Sequence, residues 1–188
     1  MSDIVLRIEL MDTAPVVWRQ IVVPPQINLR RLHDVIQLAM GWENCHLYEF
    51  EADGRYYGEP DPYGLGDVDL ASAVNLKLYK LVPRLSEGEF RYLYDFGDGW
   101  EHRIVVEQSA LDAADPCPRL LDGAMACPPE DIGGIPGYQA LKAALAGQAD
   151  EHGKMLLEVI GSDFDPTAFD KETAAASLRP IQAGFRRV

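Results

Sequence analysis

Asp95, Asp98, Glu101 and His102 lie close together in the chain, and a second histidine, His46, stands in an earlier β-patterned segment. A carboxylate facing an imidazole fixes its tautomer and raises its basicity, which acid–base catalysis and metal binding both use. Imidazole nitrogen with carboxylate oxygen suits a divalent metal ion. His46, Asp95 and His102 are therefore the candidate catalytic and metal-ligating set, and a metal-dependent hydrolase is the chemistry they would serve. The spacing follows no established metal motif. The competing reading is structural: an Asp–His pair inside a hairpin whose Gly97 and Gly99 permit positive φ while Asp98 supports the turn.

A second group has the chemistry of binding. Trp42, Tyr48, Trp100 and Tyr94 bury large areas and can leave one polar edge free, so they line either a pocket or the core. Asp98 and Glu101, with Cys127, Glu130 and Asp131 from the run Cys127-Pro128-Pro129-Glu130-Asp131, complete the candidate contacts. The same run also reads as a proline-stiffened loop covering one end of a sheet. Cys117 and Cys127 lack the short C-x-x-C pairing of a zinc ribbon, and nothing in the sequence places either beside a histidine as a nucleophile would require. Gly133-Gly134 could offer backbone N–H groups to an anion but is no Walker sequence. Asp95-Phe96-Gly97 lacks the other parts of a kinase site. His33 falls beside a helical apolar stripe, at a flank or in the core.

The elements that must position these residues are mostly strands first and helices last. Ile4 to Leu10 alternates with period two, and Val16 to Val23 returns after Ala14-Pro15, giving a hairpin. Asn28 caps a helix from Leu29 that Gly41 closes. His46 to Ala52 turns at Asp53-Gly54 into Arg55-Tyr56-Tyr57. Residues 58–69 read as a surface loop. Residues 70–82 stay open, with Leu70 to Ala73 helix-like and Leu76 to Tyr79 strand-like. Phe90 to Phe96 and Trp100 to Gln108 form the clearest hairpin. A two-residue Asp98-Gly99 turn would set Asp95 opposite His102, Leu93 opposite Ile104 and Arg91 opposite Val106, with Tyr94 meeting Arg103 on the other face. Five prolines and four glycines between residues 116 and 137 argue against regular structure there. Helices follow over Tyr138 to Leu145, Asp150 to Ile160, and from the Asp165-Pro166 cap to about Leu178. This order implies an α+β domain with a largely antiparallel sheet built from hairpins, packed helices and a helical C-terminal part. One domain over residues 1–178 is expected, with 179–188 as a tail.

Of the 188 residues, 47% are hydrophobic and 25% charged, the balance of a globular chain. No apolar run reaches the length of a membrane span. The first residues lack the features of a signal peptide, and the three cysteines make no disulfide framework, so a cytoplasmic setting with reduced thiols is expected. The net charge of −13 works against broad nucleic-acid binding, although Arg179, Arg186 and Arg187 make the end mildly basic.

Several ordered stretches carry a family resemblance. They are Pro15 to Arg19, Leu32 to Gln37, Met40 to Asn44, His46 to Phe50, Tyr94 to His102, Ala126 to Asp131, Gly133-Gly134 and Phe164 to Pro166. Together they resemble the plasmid pRiA-type ORF-three-like family over about residues 4–170. The resemblance implies a shared fold and a mobile-element context, some members being labelled insertion-element passengers with a resolvase-like name. No serine-recombinase motif or helix-turn-helix accompanies it. It also implies relatives richer in cysteine around the acidic segment, where this chain has Leu120 and Ile132. The leading expectation is a binding or interaction module for a protein or small molecule. A divalent-metal hydrolase and a nucleic-acid accessory factor are the alternatives.

Overall fold

The alternation of Ile4, Leu6, Ile8 and Leu10 with Arg7 and Glu9 gives the first strand of a computed structural model, which describes residues 2–59, 70–107 and 116–185. This strand, β1 (Ile4–Leu10), pairs antiparallel with β2 (Val17–Val23), as its apolar pattern predicts. The helix α1 (Leu29–Met40) follows. Asn28 accepts from the Arg31 N–H to cap its start, and Gly41 ends it at φ 91°. Then come β3 (Tyr48–Ala52), β4 (Arg55–Gly58), β5 (Leu70–Ser72) and the short helix α2 (Leu78–Leu81). The hairpin strands β6 (Glu89–Tyr94) and β7 (Trp100–Glu107) precede β8 (Arg119–Ala124). Helices α3 (Gly134–Leu145), α4 (Glu151–Ile160), α5 (Lys171–Ser177) and α6 (Arg179–Gln182) close the chain.

Among the described residues the eight strands form one sheet in the order β5-β4-β3-β6-β7-β1-β2-β8, antiparallel except where β4 meets β5. The expected α+β architecture is therefore present, with helices packed on one face. That inner face carries Leu6, Ile8, Phe50, Tyr92, Trp100 and Ile104, all buried in one core cluster with Leu32, Val35 and Ile36 of α1. Each such side chain contributes about 1.5–3 kcal/mol on leaving water. The opposite face carries charge: Arg103 bridges Glu89 and Glu9, and Arg91 pairs with Glu101. Among the described residues, no helix is long and apolar enough to cross a membrane.

One charge points the other way. Arg19 of β2 faces inward and is 3% exposed. Its Nε donates to Ala39 O at 3.0 Å, and its Nη1 donates to Trp18 O at 2.8 Å and Ala124 O at 2.9 Å. Its guanidinium lies 4.2 Å over the Phe169 ring. The last turn of α1 and the edge strand β8 are thus tied through one fork-shaped donor.

The structure corrects several expectations. Leu70–Ser72 is a strand and Leu78–Leu81 a helix, the reverse of their local patterns. Leu78 and Leu81 alone face the core, so burial outweighs the strand-like alternation. The proline- and glycine-rich stretch contains β8, an edge strand in which Gly123 makes room for Phe169: a Cβ there would sit 2.6 Å from the ring. Asp165 caps only a turn, through Thr167, and the next helix starts at Lys171 behind the Asp170 cap. The β6–β7 register places Tyr94 opposite Trp100, Tyr92 opposite His102 and Arg91 opposite Arg103. The connecting loop is longer than a two-residue turn, so Asp95 does not face His102. The expected surface loop lies mostly outside the described residues, as do Arg186 and Arg187.

Candidate functional site

The end of the sheet where β6 turns into β7 meets two other loops, residues 41–47 after α1 and residues 125–133 before α3. Asp95 holds the turn. At φ 55° it lies in the left-handed region, its Oδ1 accepts from Gly97 N–H at 2.9 Å, and its carbonyl accepts from Gly99 N–H at 2.7 Å. Asp98 reaches across instead of supporting its own turn. Its carboxylate accepts from Ile132 N–H at 3.1 Å and Gly133 N–H at 3.2 Å. Of the two amides expected to face an anion at Gly133-Gly134, that of Gly133 is thus engaged, with the Ile132 amide, by this protein's own aspartate just before α3.

A second clamp runs through Tyr94. Its hydroxyl accepts from Cys45 N–H at 3.1 Å and donates to Glu130 Oε1. The other carboxylate oxygen of Glu130 accepts from Glu43 N–H at 2.9 Å. Burial raises the Tyr94 pKa, with Glu130 adding to it, which keeps the phenol a donor. Trp42 stacks on Tyr94 at 5.1 Å and donates from its indole N–H to Pro128 O at 3.0 Å. The three loops are fixed to one another by hydrogen bonds that only a folded chain can assemble.

Behind the first loop stands a buried polar chain. Gln37 donates to the Tyr92 hydroxyl at 2.9 Å, so the hydroxyl proton points to His33 Nδ1 at 2.7 Å. His33 Nε2–H is then left to donate to Asn44 Oδ1 at 2.6 Å. Stacked on Tyr48 at 3.7 Å and desolvated, His33 has its pKa lowered to about 4 and stays neutral. The chain ends at Asn44, which holds a left-handed φ of 59° immediately before Cys45 and His46.

These supports enclose a cleft of about 440 Å³. Trp42, Phe164, Pro128 and Pro129 give it apolar walls, and Glu43, Glu130 and Asp131 give it carboxylates. Cys127 also lines it, its thiol pushed up to about 12 by burial while the Arg19 charge opposes the shift. Cys45, Cys117 and Cys127 form no disulfide among the described residues.

His46 and Asp95 come together at the cleft's edge. His46 Nε2 lies 3.7 Å from Asp95 Oδ2 and 3.2 Å from Asp131 Oδ1. His102 is elsewhere. Fully buried, it contacts Tyr92 O through Nδ1 at 3.3 Å and meets the Trp42 ring edge-on, and burial lowers its pKa to about 4. Trp100 and Tyr48 are core residues, and Glu101 lies on the outer sheet face beside Arg91. Asp95, Asp98, Glu101 and His102 thus separate into four environments because strand alternation and the longer turn send them different ways. Sequence reasoning did not single out Glu43 or Cys45 as site residues, nor Asn44 as a support. Their signal was the break after Gly41, where the chain leaves α1 with polar side chains.

The family described as "Plasmid pRiA4b ORF-3-like protein" matches residues 2–173. "Uncharacterized protein y4hQ" of Sinorhizobium fredii (strain NBRC 101917 / NGR234) is 44% identical over 99% of this chain and 95% of its own. The crystal structure of a protein of unknown function, MM3350 from Methanosarcina mazei Go1, superposes with a TM-score of 0.80. It is 30% identical, with 91% of this chain and 95% of that one covered.

Proposed function

The chain belongs to the plasmid pRiA4b ORF-3-like family, and from that premise we propose that it is a binding module whose cleft takes a cationic group carried on an apolar stem. The observation that carries this reading is the lining: among the described residues it has aromatic and proline walls with three carboxylates and no basic side chain. An ammonium or guanidinium group there would meet Glu43, Glu130 and Asp131 while its stem lay along Trp42 and Phe164. The volume of about 440 Å³ is that of a small-molecule pocket, and it also accepts one long side chain of a peptide. Glu130 is held at both oxygens and Trp42 at its indole N–H, so little ordering is left to be done on binding. The plasmid named in the family description supports a mobile-element association.

The alternatives have less behind them. The hydrolase reading loses His102, which lies in the core opposite Tyr92. A nucleic-acid accessory role finds only acidic charge among the described residues that line the cleft.

Calorimetric titration of the full chain with n-butylguanidinium, n-butanol and butyrate tests the reading. A lysine- or arginine-bearing peptide in parallel separates a free small cation from a protein partner. Binding of the cationic probes alone, weakened at least about tenfold by Glu43→Gln, is the expected result. Equal heats from cation and alcohol, or none from any probe, would overturn it.

A further inference from the structure

We infer that His46, Asp95 and Asp131 form a site for a first-row divalent cation, of the Zn²⁺ or Mn²⁺ class, at the rim of the cleft. The site uses different chemistry from the cationic-ligand reading and shares only Asp131 with the cleft.

Three observations converge. The first is spacing. His46 Nε2 stands 3.2 Å from one carboxylate oxygen and 3.7 Å from another, and the three ligand atoms all lie within 4.8 Å of one another. Donors about 2.0–2.2 Å from a tetrahedral ion are themselves about 3.3–3.6 Å apart, so two of the edges already have nearly the length coordination would impose.

The second is an unmet demand. His46 Nε2 is shielded from solvent and has no hydrogen-bond partner among the described residues, although two carboxylates face it. A ring nitrogen shielded from water and left this way is destabilising. A cation on the Nε2 lone pair, with the proton on Nδ1, removes that cost and neutralises the two aspartates together.

The third is preorganisation. Asp95 is 8% exposed, and its Oδ1 is fixed by the Gly97 amide, so that Oδ2 is the oxygen presented to His46. Asp95 and Asp131 hold left-handed φ values of 55° and 59°, and Asp98 binds the loop that carries Asp131 to the turn that carries Asp95. Asp131 is 74% exposed, which leaves coordination positions open to water or to an added ligand. One imidazole with two carboxylates selects borderline first-row ions over Ca²⁺ and Mg²⁺, which prefer all-oxygen sets.

A rival set, Cys45, His46 and Glu130, shares the same ring. There both Glu130 oxygens already accept hydrogen bonds, from Tyr94 and from Glu43 N–H, so coordination would have to break them.

The test is a titration of chelator-treated full-length protein with Zn²⁺ and separately with Mn²⁺, by calorimetry and by elemental analysis after dialysis. One ion per chain is expected. Affinity should fall more than about tenfold in Asp95→Asn, which keeps the turn-holding oxygen, and in His46→Gln, while Cys45→Ser changes little. Circular dichroism checks folding, and Asp131→Asn at the exposed rim gives the same readout should Asp95→Asn fail to fold. Absence of stoichiometric binding, or binding lost in Cys45→Ser and kept in Asp95→Asn, overturns the assignment. Butylguanidinium titrations of the same variants keep the two claims apart: metal binding can fail while the cleft still takes the guanidinium, and the reverse.

Discussion

Asp98 and Gly134 share a space too small for a methyl group: a Cβ on Gly134 would sit 2.1 Å from the Asp98 carbonyl oxygen. Gly134 also holds φ at 66°, in the region that disfavours other residues. The helix α3 begins at this contact, and the Asp98 carboxylate reaches the two amides just before it. The hairpin tip and the acidic loop are consequently positioned as one piece.

Gly134→Ala should therefore cost more than about 3 kcal/mol, combining a backbone clash with strain. Gly147→Ala is the control, with φ at 80° and open space around its Cβ, and should cost about 1 kcal/mol. Urea denaturation of the two variants makes the comparison, and equal losses would mean the close approach to Asp98 does not matter.

Arg19 is a buried cation whose hydrogen-bond acceptors are backbone carbonyls. Arg19→Met should lower stability by about 2–4 kcal/mol, since Ala39 O and Ala124 O lose their shared donor. Arg19→Lys should recover little of this, because an ammonium cannot fork between α1 and β8. Thermal and urea unfolding read both variants. A Met variant as stable as the parent would remove Arg19 from the account of the β8 edge.

Two histidines make stability fall on mild acidification. His33 and His102 both have folded pKa values lowered from 6.5 to about 4 by burial, so below 6.5 the unfolded chain binds protons that the folded chain refuses. Stability should be complete above about pH 6.5 and decline as pH falls towards 4. The slope in that window is up to about 1.4 kcal/mol per pH unit for each ring. Urea unfolding at intervals between pH 7 and 5 measures the slope, and His33→Gln should flatten it. Ring resonances of either histidine titrating near 6.5 in the folded protein would contradict this.

The sequence was most readable where a residue's own preference decides the structure. Asn28 and Gly41 mark both ends of α1, and the alternation from Ile4 to Leu10 faces the core as it predicts. The β6–β7 hairpin was visible too, but its register was not. Asp95 enters the left-handed region and caps its own turn through Gly97, lengthening the connection, and the odd shift moves His102 from Asp95 to Tyr92. The strand β8 was hidden because its pairing with β2 is supplied from far away in the chain. For the same reason only part of the site was legible. His46, Asp95, Glu130 and Asp131 were all singled out, yet their convergence depends on the Asp98 and Tyr94 clamps, which no local spacing encodes.

The central claim, that the cleft beside Trp42 binds a cationic group, is tested most directly by the indole N–H resonances. The chain has three tryptophans. Trp42 lies in the cleft with its N–H on Pro128 O, Trp100 is buried in the core, and Trp18 lies under Arg7 on the outer sheet face. Titration of ¹⁵N-labelled protein with n-butylguanidinium, the peaks assigned through Trp42→Phe and Trp18→Phe, should move the Trp42 resonance saturably and leave that of Trp18 in place. A Trp42 resonance unmoved at saturating probe, or saturable movement confined to Trp18, would contradict the account.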